Sequence, residues 1–260
     1  MSYKWDYLII LDACRYDMFK WVLKDESIPF VVSGGSGTKE WMEWNFKGNF
    51  KDVVYISGNP FLSNIYLEKF FGRIPFFKLI DVWDYGWNDS VKTVLPHTVT
   101  DAALKALTTY HNKRLIIHYN QPHHPFLSDE VLLKMDSGPQ RIGVPMKGKT
   151  IWHAIKLGEI PLKTVWKAYI KNLQIVLKEV NRLVENLSGK IVITSDHGNQ
   201  MGKFFQFGHL SYGIRTEELC KVPWYTIIKK GKELLNKEQF NEEKIIIKSK
   251  IDNLLKNGDF

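Results

Sequence analysis

Asp196 and His197 stand side by side directly after the apolar run "KIVITS", and a glycine follows them in "TSDHG". Two further runs end in polar clusters: "YLIILDA" leads into Asp12, Arg15 and Asp17, and "RLIIHYN" carries His118 and leads into His123 and His124 of "QPHHPF". Carboxylate oxygen and imidazole nitrogen are donors that divalent ions accept, and a glycine beside an Asp-His pair clears space for an ion. A lone Asp-His-Gly reads as a turn in which the aspartate caps the next helix. With Asp12 at a second strand end and His209 downstream, the metal reading outweighs the turn.

A metal-assisted displacement also needs a nucleophile. "SGGSGTKEWMEWNF" places Thr38 after a small, glycine-containing loop and at the start of a helix-like run. The amide groups and dipole of a helix N-terminus favour an anion there, and with it an ionised hydroxyl. Thr38 also reads as a plain N-cap accepting from the Trp41 N–H, and the two roles are compatible. Ser36 is the rival nucleophile, deeper in the loop. No Gly-Lys-Ser/Thr follows at the required spacing, so this is not the phosphate loop of nucleotide hydrolases. Arg15, Lys39 and Arg141 are candidate clamps for the oxygens of a bound anion. For Arg15 an ion pair with Asp17 competes on equal terms. His97, His111 and His153 read as ordinary histidines, and His118 as a hydrogen-bonded core residue.

These residues can act together only if the fold gathers strand ends. "YLIILDA", "DVVYIS", "RLIIHYN", "KIVITS" and "PWYTIIK" read as buried strands, continuous rather than alternating, as parallel sheets require. Between them, apolar residues recur at three- and four-residue steps from Leu162 to Leu187, which predicts a long helix packing one face on the sheet. The expectation is a doubly wound α/β fold with a mainly parallel sheet, helices on both faces and right-handed crossovers. Asp12, Thr38, Asn120 and Asp196 would then group at the carboxyl edge of the sheet. At 260 residues, a single domain over 1–260 is the default. The Gly-, Pro- and Lys-rich stretch 137–160 is the longest excursion and is expected to cover the site. Near the end, Ile247, Ile251, Leu254 and Leu255 share one helical face and should pack on the sheet.

An apolar fraction of 44% and an aromatic fraction of 13% exclude a disordered chain. The net charge of +8 is diffuse, since the stretch from Lys229 onward sets eight lysines against six acids. It suits an anionic partner without predicting specific nucleic-acid recognition. Cys14 and Cys220 give no disulfide framework and are expected to be reduced and buried. Without a basic leader and apolar segment, or eighteen consecutive apolar residues, the chain is expected to be soluble and cytoplasmic, with its oligomeric state unspecified.

The ordered set "YLIILDACRYD", "GSGTKEW", "QPHHPF", "ITSDHG" and "FGH" followed by "VPW" resembles the alkaline phosphatase and sulfatase superfamily, in its sulfatase-like archaeal and viral branch. "ISGNPF", "PHTVTDAAL" and "AYIKNLQIVLKEV" extend the resemblance over nearly the whole chain. It implies an alkaline-phosphatase-like fold and a metal site of Asp12, Thr38, Asp196 and His197, with Thr38 as both ligand and nucleophile. A second ion would take His209, with His124 or His123 nearby; alternatively His209 and His123 bind substrate directly. One or two divalent ions are implied, zinc or manganese ahead of magnesium or calcium. The Cys/Ser-x-Pro-x-Arg signature of formylglycine sulfatases is missing, so phosphate esters are favoured over sulfate esters. Asn199 stands where many relatives carry an acid. The expected activity is hydrolysis or transfer on a small or polymeric anionic ester. The alternative is a catalytically degenerate member that binds an anionic polymer.

Overall fold

The computed structural model describes residues 4–138, 148–209 and 212–229. The first half runs β1 (Tyr7–Leu11), α1 (Tyr16–Leu23), β2 (Phe30–Val32), α2 (Thr38–Asn45), β3 (Phe50–Ser57), α3 (Asn64–Phe71), β4 (Phe76–Asp81), α4 (Val82–Gly86), β5 (Trp87–Asn88), β6 (Thr93–Val94) and α5 (Pro96–Thr109). The second half runs β7 (Arg114–Tyr119), α6 (Glu130–Met135), α7 (Ile151–Lys156), α8 (Leu162–Val184), β8 (Gly189–Thr194), β9 (Gln200–Met201), β10 (Phe207–Gly208), α9 (Glu217–Cys220) and β11 (Lys221–Lys229).

Seven strands form one sheet in the order β2-β11-β8-β1-β7-β3-β4. β1 runs parallel to both β7 and β8, and β3 runs parallel to both β7 and β4. Successive residues of β1 explain its unbroken apolar run. Leu8 and Ile10 enter a core with Trp41 and Met42 of α2 and Leu67 of α3, while Ile9 and Leu11 enter the opposite core with α1, α5 and α8. A strand covered on both faces has no solvent side on which to place polar residues. The α/β, doubly wound, mainly parallel architecture is thus the one expected.

β11 departs from that pattern. "PWYTIIK" pairs antiparallel with both β8 and β2, and its burial is incomplete toward its end. With only the three-residue β2 beyond it, it lies near the sheet margin, where double-sided burial is not enforced. α8 ends at Val184, three residues before the expected Leu187, which lies buried just past the helix. Cys14 and Cys220 are buried and free, and burial pushes the Cys14 thiol well up. Among the described residues no helix is long and apolar enough to cross a membrane. The amphipathic run around Ile247 to Leu255 lies outside the described residues.

Candidate active site

Parallel pairing puts the carboxyl ends of β1, β7 and β8 next to one another, and each delivers a polar residue within a step or two. Asp12 follows β1, and its backbone is fixed to β7 by Asp12 N–H to Tyr119 O at 3.1 Å and His123 N–H to Asp12 O at 3.1 Å. Ala13 next adopts a left-handed φ of 59°, uncommon for a residue with a Cβ. The turn aims the Ala13 N–H at Asp196 Oδ1, 3.0 Å away across the β1–β8 gap, and the Cys14 N–H at Ser195 Oγ, 2.8 Å away. Gly198 is required after the Asp-His pair, because a Cβ there would meet Glu218 O at 2.1 Å.

The glycine loop before α2 docks on the same point, with Ser33 Oγ donating to the Asp196 carbonyl. Thr38 is the first residue of the helix rather than its N-cap. Gly37 takes the cap position and the Trp41 N–H bonds Gly37 O at 3.0 Å, so the expected Thr38–Trp41 cap is not formed. The freed Thr38 hydroxyl donates to Asp196 Oδ2 at 2.8 Å and lies 3.4 Å from His197 Nε2. Ser36, the rival, donates to Glu40 Oε2 at 2.6 Å and takes no part in this cluster.

Donor atoms of Asp12, Asp196 and His197 all lie within 4.8 Å of one another, and all three residues are buried. His197 Nδ1 faces the Gly198 carbonyl at 2.8 Å; a carbonyl only accepts, so Nδ1 carries the proton and Nε2 keeps its lone pair. Asn59 Nδ2 donates to Asp12 Oδ2 at 2.6 Å, whereas Asp12 Oδ1 is buried without a hydrogen-bond partner among the described residues. Burial and the neighbouring Asp196 push the Asp12 carboxyl well up. Burial acts on Asp196 too, but His197, His118, the Ala13 N–H and the Thr38 O–H outweigh it and hold that carboxyl down. An orphaned carboxylate oxygen, a free imidazole lone pair and two buried acids with oxygens within 4.8 Å of each other make a donor set that fits a divalent cation.

His118, expected as a core residue, is fully buried and bonded through Nδ1 to the Tyr55 hydroxyl at 2.8 Å. Its Nε2 is unpartnered among the described residues and stands 3.9 Å from both Asp12 Oδ2 and Asp196 Oδ2. Burial lowers its pKa to about 4, so the ring is neutral. Strand alternation hid this residue: its neighbours on β7 are core, and only the pairing with β1 reveals what its imidazole faces.

Two cavities meet at Thr38. One, of about 240 Å³, is lined by Asp12, Asn120, His123, His124, Trp152 and His209 among others. His123 and His124 stack with ring centres 4.2 Å apart, and His209 lies 5.1 Å from His123 and 4.5 Å from His197. His124 Nδ1 donates to Asp136 Oδ2, an acid that sequence reasoning did not mark and that no motif signals. His209 and His124 line this cavity but stand outside the three-residue donor group. Burial, then the other histidines, hold His209 and His123 well below the ordinary imidazole range. The second cavity, of about 460 Å³, is lined by Lys39, Met42, Phe61, Tyr66, Phe70 and Tyr212 among others. Lys39 sits 4.9 Å from the centre of the Phe70 ring and 5.5 Å from that of Tyr212.

Arg15 does not line either cavity. Its guanidinium bonds Asp17 through Nε and Nη2 at 2.9 and 2.6 Å and donates from Nη1 to Asn199 O at 2.7 Å, which turns the fork toward Asp17 and the Asn199 backbone. The ion-pair reading of Arg15 therefore replaces the clamp. Arg141 lies outside the described residues. Of the stretch 137–160, Gly138, Thr150 and Trp152 line the polar cavity, and 139–147 is outside the described residues.

No family model and no curated protein matches the chain. Solved structures do. The integral membrane lipooligosaccharide phosphoethanolamine transferase A of Neisseria meningitidis matches with a TM-score of 0.59 at 14% identity, over 88% of this chain and 49% of that one. Its soluble domain matches with a TM-score of 0.54 at 14% identity, over 85% of this chain and 75% of that one. The lipoteichoic acid synthase LtaP of Listeria monocytogenes matches with a TM-score of 0.51 at 11% identity, over 88% of this chain and 66% of that one. The chain thus spans about half the length of the integral membrane transferase. At such identities the likeness is one of fold, and that fold is the doubly wound, mainly parallel α/β architecture that the alternation of strands and helices predicts.

Proposed function

We propose that the protein is a metal-dependent phosphoester transferase or hydrolase with Thr38 as nucleophile. The observation that carries this is the Thr38 hydroxyl at the head of α2, bonded to Asp196 at 2.8 Å and beside His197 and Asp12. Asp12, Thr38, Asp196 and His197 would hold the first ion; His209, with His123 or His124, would serve a second ion. Bound there, zinc or manganese supplies a Lewis acid that lowers the hydroxyl pKa and neutralises charge on the phosphoryl oxygens.

The chain's own groups do the rest. The Thr38 proton already points at Asp196 Oδ2, which gives it an acceptor as the oxygen attacks phosphorus. The P–O bond to the leaving alcohol breaks as the Thr38–phosphorus bond forms, and water or an acceptor alcohol then releases Thr38. The dipole of α2 favours the accumulating negative charge. Lys39 and the aromatic cavity on the other side of Thr38 suit the organic arm of an ester. Two of the matched structures are a phosphoethanolamine transferase and a lipoteichoic acid synthase, which supports transfer as well as hydrolysis.

Purified protein supplied with zinc or manganese should cleave an aryl phosphate mono- or diester, and chelator or Thr38→Ala should abolish that cleavage. Turnover that survives both would overturn the mechanism. Metal binding with no turnover on any phospho- or sulfoester would favour the binding-only alternative.

A further inference from the structure

Behind the metal group runs a line of hydrogen bonds whose direction is forced at every step. It starts at the Ala13 carbonyl, which accepts from the Tyr169 hydroxyl. A carbonyl only accepts, so the single hydroxyl proton is committed there, and the Tyr169 oxygen must accept at its next contact. That contact is Asn199 Nδ2 at 3.1 Å. The amide is thereby oriented, and its Oδ1 faces His209 Nδ1 at 3.1 Å. Since Oδ1 only accepts, Nδ1 of His209 carries the ring proton and Nε2 carries the lone pair. Ala13, Tyr169 and Asn199 are all fully buried, which leaves no competing solvent partner. The Asn199 backbone is itself pinned by Arg15.

We infer that Tyr169 and Asn199 are positioning residues that fix the tautomer of His209 and so make its Nε2 an acceptor rather than a donor. A neutral His209 held this way can take a proton or a metal ion, and it cannot donate from Nε2 to a bound oxyanion. His123 is held alike, its Nδ1 facing the His124 carbonyl at 2.6 Å, so the polar cavity is lined by imidazoles of one polarity. The line also returns to the metal group, because Ala13 donates its N–H to Asp196 Oδ1. An acid at position 199 could accept from His209 as well, but it could not donate to Tyr169. The amide is the side chain that satisfies both neighbours at once. The tautomer stands apart from the proposed function; only its consequence for catalysis rests on that reading.

The test is the long-range nitrogen–proton correlation spectrum of the histidine rings in the full chain, chelator-treated, with the His209 signals assigned by His209→Gln. The wild type should show His209 protonated at Nδ1 alone. Asn199→Leu removes the acceptor and should give mixed tautomers. Tyr169→Phe frees the amide to rotate and should do the same with little change in packed volume. Asn199→Asp keeps an acceptor and should restore the Nδ1-protonated form. In a phosphoester assay, kcat/KM should fall about tenfold in Asn199→Leu and recover in Asn199→Asp, as for other groups that orient a ligand from behind. An Nε2-protonated His209 in the wild type, or an unchanged tautomer in natively folded Asn199→Leu and Tyr169→Phe, overturns the inference. If no ester is turned over but the tautomers follow this pattern, the positioning holds and the phosphoester reading fails.

Discussion

The two cavities that share Thr38 differ in what their walls leave unsatisfied. On the polar side, buried atoms such as Asp12 Oδ1 and Asn120 Oδ1 have no hydrogen-bond partner among the described residues, and four imidazoles crowd the same edge. On the aromatic side the charged and polar groups are matched: Lys39 lies against two rings and 3.9 Å from Glu43, and Ser36 bonds Glu40. Each orphaned polar atom costs about 1–3 kcal/mol when left unpaired. The polar wall thus offers donor atoms to a charged ligand, while the aromatic wall offers area and shape.

The comparison breaks first at Thr38, which lines both cavities. Thr38→Ala should lower kcat at least about 10³-fold while leaving the fold intact, because it removes the attacking atom and a single hydrogen bond. Equal activity in variant and wild type would separate the two cavities from any nucleophile at Thr38.

Asp12→Asn sharpens the polar side. In chelator-treated protein it relieves the contact of two buried carboxylates and should raise the midpoint of thermal unfolding, while the further rise given to the wild type by zinc or manganese should vanish. A metal-induced shift that persists in this variant would remove Asp12 from the donor set.

The neutral histidine behind that wall gives a pH signature. His118 has a folded-state pKa of about 4 against an ordinary value of 6.5. Its contribution is present above the unfolded value and is lost as the pH falls toward 4, where the unfolded chain binds a proton that the native chain refuses. Asp12, with its carboxyl pushed up, acts with the opposite sign, so the measurement compares wild type with His118→Gln. Between pH 7 and pH 4, denaturant titrations of the chelator-treated proteins should show the wild type losing about 3 kcal/mol relative to the variant. Parallel profiles would mean that His118 is solvated in the folded state.

The smallest effect belongs to the aromatic side. Phe70→Ala should raise KM by several-fold for an aryl diester and leave a small alkyl phosphate unaffected, since one ring contact contributes about 1 kcal/mol. Equal losses for both substrates would show that this cavity does not hold the organic arm.

The sequence carried the sheet because strands buried on both faces must be apolar throughout. "YLIIL", "RLIIHY" and "KIVIT" could be read without knowing their neighbours. Asp12, Thr38, Asp196 and His197 could be marked as candidates because an acid or imidazole directly after such a run, and a hydroxyl at a helix start, suit an ion or an anion as well as a turn or a cap. Asn59 was visible only as part of "ISGNPF", two residues beyond β3, with no hint that its amide would meet Asp12. Asp136 carried no local signal, and Tyr169 was visible only as part of "AYIKNLQIVLKEV" and the apolar face of its helix. Their roles depend on contacts to residues 12 and 156 positions away in the chain, His124 and Ala13 respectively.

What the sequence determined by itself was an inventory with an order: apolar runs of fixed period, the chemistry at their ends, and a fold in which those ends converge. Local physics suffices for that, since periodicity and strand or helix preference act over a few residues. What the tertiary structure decided was direction. It turned Arg15 from a clamp into a brace for Asn199, released Thr38 from the cap to Asp196, aimed His118 at two carboxylates and assigned the ring proton of His209. Such outcomes depend on which atom faces which across 10 to 184 residues of chain. Hydrogen bonds are directional where burial is not, so only the assembled fold could set them.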